Sequence, residues 1–209
     1  MQSILTVTTA ASTRDFTRLD TVRQELSIRG RQDDALLLRW IRESSAAIED
    51  YLTRRIVLET ISEVFRLDHS CREVAAAVPL RLSRWPVTAI ASITECDQAL
   101  QTTDYELASD SGLLWRLCDD RRRPWNWGKV TIAYTAGYEL LKTLPRAIEQ
   151  ACLELIKLRW SAKGRDPTVR AERVEGVDEV TYWVGAIGEN GALPPKVTAL
   201  IDSYREPNL

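Results

Sequence analysis

GKVTIAYTAGYELLKTLPRAIEQACLELIKLRWSAKGR, residues 128–165, holds a strand, a turn and a helix in one unbroken run. Residues 129–134 place Val130, Ile132 and Tyr134 on one side and Thr131 and Ala133 on the other, the period of a half-buried sheet strand. In the turn 134–138, Gly137 gives the backbone the freedom needed between two aromatic residues. Pro145 presets φ for a first helical residue and lacks only a donor that would be orphaned there anyway. From there to Gly164 neither Gly nor Pro interrupts the chain, so a helix of about five turns is expected over 145–163.

That helix has an unusually wide apolar face. At 100° per residue, Ala147, Ile148, Ala151, Cys152, Leu155, Ile156 and Leu158 form one stripe broken by Arg159, and Leu153 and Trp160 extend it beyond Glu149. Gln150, Glu154, Lys157 and Ser161 hold the narrow polar remainder. A surface helix usually shows a stripe of roughly 100°, so burial on more than one side is implied. Either the domain covers the helix entirely, or a neighbouring subunit shares it.

The whole chain bounds the function classes. Its 209 residues suit one domain, or one domain with an extended arm, and can bury a real core. With 44% hydrophobic and 28% charged residues and a net charge of −2, it lacks the basic excess of a dedicated nucleic-acid binder. No apolar run reaches the ~20 residues that span a bilayer, and no membrane role is expected. The Thr-rich stretch 1–12 has no basic n-region, which argues against a secretory signal and for a flexible or strand-forming arm. The four cysteines, Cys71, Cys96, Cys118 and Cys152, form no CxxC pair and read as reduced residues. His69 is the single histidine, in a polar turn, so zinc and triad designs lack ligands and partners. Phosphate-loop and GxSxG motifs are absent, and the acidic pairs Asp33-Asp34 and Asp119-Asp120 read as caps and solvated charge. No catalytic residue, metal or cofactor is expected.

Along the chain, Thr17 with Asp20 resembles a capping box that opens a short helix ending at Gly30. Asp33 or Asp34 caps a second helix to about Thr53, roughly 30 Å long. From Ile56 the composition becomes β. Residues 56–65 read as a strand on composition without clean alternation, and 68–73 as its turn. Residues 79–83 form a short strand that Trp85-Pro86 interrupts. Residues 87–95 alternate, and 104–107 and 113–117 are shorter strands. Helices precede and follow this β region, an α+β order without βαβ alternation.

Arg121-Arg122-Arg123-Pro124-Trp125-Asn126-Trp127 is the one basic and aromatic cluster. It could touch phosphates and stack on bases, but Asp119 and Asp120 lie beside it and no other basic stripe supports it. The favoured reading is a hairpin loop whose tryptophans fold back on the sheet. After Gly164 the character changes. Residues 171–191 carry Glu172, Glu175, Asp178, Glu179 and Glu189 against Arg173, five acids less one base, or −4. Residues 180–184 could form a strand inside this segment. Pro194-Pro195 opens a last short helix with Val197, Leu200, Ile201 and Tyr204 on one face, which must dock on its own domain or on a partner.

The helical pair ending at Ile48-Glu49-Asp50-Tyr51-Leu52, the segment Leu82-Ser83-Arg84-Trp85-Pro86-Val87, the Tyr134-Thr135-Ala136-Gly137-Tyr138 turn with Leu144-Pro145, and the closing Leu193-Pro194-Pro195 together resemble the head-to-tail connector (adaptor) proteins of tailed bacteriophages and related prophage or gene-transfer particles. The resemblance runs from about Leu19 to the end. It implies a non-enzymatic subunit that forms a ring of twelve copies beneath the portal, extends the DNA channel, and carries a stopper or tail, assembled in the bacterial host cytoplasm. DNA would pass without sequence-specific binding. The alternatives are a stopper or tail-completion protein at the same junction, or a DNA-binding module using Arg121 to Trp127.

The expected fold is therefore α+β: a helical bundle from helices 18–28, 33–53 and 145–163, a small antiparallel sheet inserted over 56–136, and an extended C-terminal arm. Residues 1–165 would form the connector domain and 166–209 the arm with its terminal helix. Leu153, Lys157, Leu158 and Trp160 are candidates for the contact between subunits. Pro194, Val197, Leu200, Ile201 and Tyr204 are candidates for the portal contact. Arg121, Arg122, Arg123, Glu172, Glu175, Asp178 and Glu179 are candidates for the channel wall, where acidic groups would let DNA slide.

Overall fold

The computed structural model of the chain describes residues 3–67, 77–140, 142–163, 171–172, 180–181 and 193–205. The expected turn 68–73 with His69 lies outside them. Two compact units share the chain: Met1–Thr13 with Arg55–Thr143, and Arg14–Arg54 with Leu144–Leu209.

The first unit is built from strands. Among the described residues it holds β1 (Ser3–Thr9), β2 (Glu59–Leu67), β3 (Leu80–Arg81), β4 (Val87–Glu95), β5 (Gln98–Ala99), β6 (Tyr105–Ala108), β7 (Leu113–Cys118), β8 (Arg121–Arg123) and β9 (Gly128–Ala136). One antiparallel sheet runs β1-β2-β9-β4-β5; in the other β7 pairs with β6 on one side and with β3 and β8. The expected helical bundle with a small inserted sheet is therefore wrong: the chain is α+β but rich in sheet, with nine strands in two sheets among the described residues of this unit alone. The N-terminal stretch, read as a flexible or strand-forming arm, supplies β1, whereas the arginine run, read as a hairpin loop, supplies β8.

The strand 128–136 lies at the centre of the larger sheet, between β2 and β4. Val130, Ile132, Tyr134 and Ala136 are buried at every second position, as the alternation predicts. They join Ile61, Phe65, Leu82, Ile93 and Leu114 in one core that draws on both sheets. Gly137 then turns the chain at φ +110, where a Cβ would lie 2.4 Å from the Val57 carbonyl oxygen. Only glycine fits there. The amide of Gly137 donates to the Pro86 carbonyl at 2.8 Å, and that of Tyr138 to the Ile56 carbonyl at 2.8 Å.

Two carboxylates complete this core. Glu63 on β2 is fully buried and accepts from the Ser83 hydroxyl at 2.5 Å, the Ser83 amide at 3.1 Å and the Tyr134 hydroxyl at 2.7 Å. Burial, with the Glu63 charge beside it, pushes the Tyr134 hydroxyl well above its ordinary range. Glu95 at the end of β4 accepts from Arg116 Nε on β7 at 3.0 Å and from the Asn126 amide at 2.7 Å, so a buried ion pair links the two sheets.

The second unit holds α1 (Leu19–Glu25), α2 (Asp34–Leu52), α3 (Arg146–Ala162) and α4 (Pro195–Ile201), each within a few residues of its expected span. The capping box at Thr17 does not form: the helix starts beyond it, and the Thr17 hydroxyl donates to Glu149 on α3 at 3.2 Å. Leu37, Ile41, Ile48 and Leu52 of α2 pack with Ile148, Ala151, Cys152, Leu155 and Ile156 of α3, all essentially inaccessible. Among the described residues no helix is long and apolar enough to cross a membrane.

Candidate functional site

The apolar face of α3 is wide because it meets two helices of its own unit. One side packs on α2 and another on α4, whose Val197 and Ile201 are completely buried. Lys196 of α4 donates to Glu154 of α3 at 2.7 Å, which holds the Glu154 carboxyl below its ordinary range. Beyond α4, the Tyr51 hydroxyl donates to Asp202 and the Arg205 guanidinium lies 5.3 Å from the Tyr51 ring. The Asp202 hydrogen bond is the main reason the Tyr51 hydroxyl titrates above its usual range.

This packing separates the residues expected at subunit contacts. Leu153 is buried within the unit. Lys157 pairs with Glu25 of α1 and with Glu154, and the Glu25 partner raises its ammonium above the ordinary value. Trp160 meets Trp40 edge-on at 6.4 Å between centroids and carries the Lys163 ammonium 4.6 Å from its ring. Leu158, 39% exposed, is the one of the four that leaves a large apolar side chain in solvent.

The expected portal residues divide in the same way. Pro194, Val197 and Ile201 are buried within their own unit, while Leu200 and Tyr204 are half-buried. The terminal helix docks on its own unit through one edge and keeps the other accessible.

The three arginines are not a free basic cluster. They form β8, paired to β7. Arg122 donates to Glu106 at 2.9 Å and lies 4.1 Å over the Trp115 ring. That hydrogen bond holds the Glu106 carboxyl below, and the Arg122 guanidinium above, their ordinary values. Arg123 donates to Asn126 at 3.0 Å and stands 3.9 Å from Glu95, and Arg121 is exposed. Trp125 is buried, and Trp127 remains 40% exposed. Glu172 sits in the short strand β10 (Ala171–Glu172), which pairs with β11 (Val180–Thr181). Glu175, Asp178 and Glu179 lie outside the described residues.

The described residues hold no group of three or more His, Cys, Asp or Glu side chains arranged for a metal ion. Sequence reading missed the outer face of the larger sheet, where three successive rows of residues carry no charge. Its signal lies in the spacing of the Thr, Ser and Ala residues of β2, β4 and β9, and the strand pairing has to be known before those residues line up.

The sequence model of the head completion protein family matches residues 15–207. No curated protein matches the chain. Among solved structures, a chain in the virion of a native gene transfer agent particle is similar at 19% identity and a TM-score of 0.59, covering 99% of this chain and 97% of that one. A chain in the neck of the native particle, computed with C12 symmetry, is similar at 19% identity and a TM-score of 0.59, with the same 99% and 97% coverage. One in the neck of the empty particle, computed with C6 symmetry, is similar at 19% identity and a TM-score of 0.60, again covering 99% and 97%. At that identity the likeness is one of fold.

Proposed function

The chain belongs to the head completion protein family, and from that premise we propose that it is a structural subunit of the head–tail junction in a phage or phage-like particle. In this reading it forms a ring beneath the portal, extends the DNA channel and carries the stopper or tail. The observation that carries the proposal is the family match over residues 15–207. The likeness of fold to chains in necks computed with C12 and C6 symmetry supports a ring. Leu158 with the accessible edge of Trp160 contributes to the contact between copies, and Leu200 and Tyr204 contribute to the contact with the portal. The role is structural, and DNA passes through without being read. The ion pairs of Arg122 and Arg123 support passage over tight binding, because those charges are already matched within the chain.

The test is removal of the gene from the particle-producing cell, followed by negative-stain microscopy of the particles. Heads without tails, rescued by the wild-type gene in trans, are expected. Tailed particles of normal appearance in the deletion would overturn the proposal, and an averaged neck lacking a tagged copy would overturn the ring.

A further inference from the structure

On the outer face of the five-stranded sheet, three successive rows of residues are free of charge. Strand register sets Thr6, Ser62, Ala133 and Ser92 in one row. The next row is Ile4, Val64, Thr131 and Thr94, and on the other side stand Thr60, Thr135 and Ala89. None of these eleven side chains is buried. A charged share of 28% across the chain would place about three charges among them.

Two of the face's hydroxyls, those of Thr60 and Thr135, are partnered within the sheet. Thr60 and Thr135 share a hydroxyl contact at 3.4 Å, the neighbouring Thr8 donates to the Thr60 carbonyl at 3.0 Å, and Thr88 donates to the Thr135 carbonyl at 3.1 Å. Polar groups already bonded within the sheet are cheap to dehydrate. Charge returns only in the next row, where Arg66 stands directly opposite Lys129, both exposed and without an acidic partner among the described residues. Like charges in that position repel, and an incoming carboxylate would relieve them.

One border of the face is β1, whose outer edge pairs with no described strand. It carries neither charge nor proline, and Ile4 is 60% and Val7 39% exposed. Proteins ordinarily blunt such an edge with charge, proline or cover. Four strands by six residues span roughly 19 by 20 Å, about 400 Å², which is half of the ~800 Å² each partner gives to a stable interface. The adjoining β1 edge adds to it.

We infer that this face, with the β1 edge, seats a neighbouring copy of the same chain. The inference rests on the ring reading above and adds to it a contact separate from the helical unit. A face with no cation in three rows and only the Arg66 and Lys129 pair at its margin offers few of the phosphate contacts that dominate nucleic-acid binding. It does let chains of net charge −2 abut without repulsion, and the acidic excess of a neighbour complements the Arg66 and Lys129 row.

The photocrosslinking residue p-benzoylphenylalanine, introduced at Ser62 and separately at Thr6, tests this in tagged protein carried in purified particles. Irradiation is expected to give a band at twice the 23.7 kDa chain mass, with mass spectrometry finding both peptides from this chain. The yield is expected to fall at least tenfold when Thr131→Lys is added. Cross-links to a different virion protein, or no cross-link from either position, would overturn the inference while tagged wild-type copies in the neck leave the ring reading standing. Absence of the wild-type protein from the neck overturns the ring reading instead. The same irradiation of purified protein at assembly concentration then decides the face, with the double-mass band in its favour and a single-mass band against it.

Discussion

The Tyr134 hydroxyl donates to Glu63 Oε2 at 2.7 Å inside a core where both side chains are fully buried. Glu63 accepts three hydrogen bonds there, from the Tyr134 hydroxyl and from the Ser83 hydroxyl and amide. Tyr134→Phe removes one donor and leaves the carboxylate under-satisfied, which costs about 1–3 kcal/mol. Urea unfolding of the purified protein measures it, and a double-mutant cycle with Glu63→Gln is expected to return a coupling well above zero. Additive losses would mean that the bond contributes nothing.

Arg116 and Arg122 both pair with glutamates, but only Arg116 does so in the interior. Its side chain is 11% exposed and that of Glu95 3%. Arg116→Ala strands a buried carboxylate and is expected to cost about 3–5 kcal/mol. Arg122→Ala disrupts an exposed pair and leaves the urea midpoint in place. Equal losses would show that the ion pair between the sheets is no stronger than the one in solvent.

The terminal helix predicts a split between two kinds of variant. Ile201→Ala empties a fully buried site of the second unit and costs about 2–5 kcal/mol. Leu200→Asp and Tyr204→Ala alter accessible edges, so thermal unfolding stays within a few degrees of wild type while immunoblots of purified particles show reduced incorporation. Incorporation unchanged in both would remove these residues from the portal contact.

Burial raises the Cys152 thiol to about 12. Because the folded value lies above the unfolded one of about 8.5, the stability tied to the neutral thiol is fully present below that pH. It is lost as pH rises through 12, with roughly 2 kcal/mol gone by about pH 10. Cys152→Ala is expected to flatten this part of the curve of stability against pH. In a Cys71→Ser background at pH 8, a disulfide-exchange reagent should modify the exposed Cys96 and Cys118 readily and reach Cys152 only on unfolding.

The helices were legible because their apolar positions recur at 3.6 residues over two to five turns and Gly or Pro marks several of their ends. Strand β9 was legible for the same reason at period two. Strand β2 hid its period because Glu59 and Glu63 occupy core-facing positions, so that buried carboxylates stand where an apolar residue announces the inside. In β4, register shifts between Val87 and Ala89 and between Ile90 and Ser92 turn the simple alternation around, and Val87, Ile90 and Ile93 share the core side. β8 was hidden because three arginines read as a solvated loop until their partners across the sheet are known. The width of the α3 stripe was read correctly as burial on more than one side. Which neighbour supplied the cover depended on where α4 docks, and residue spacing carries no record of that.

Each unit is assembled from chain segments far apart in sequence, with Met1–Thr13 joined to Arg55–Thr143 and Arg14–Arg54 to Leu144–Leu209. During synthesis, β2 leaves the ribosome long before its partner β9, and α2 waits roughly 5–20 s for α3 at ordinary elongation rates. A chain released before Thr143 has neither core complete. Translation interrupted that early therefore yields debris for proteases and no half-folded subunit able to occupy a place among intact copies.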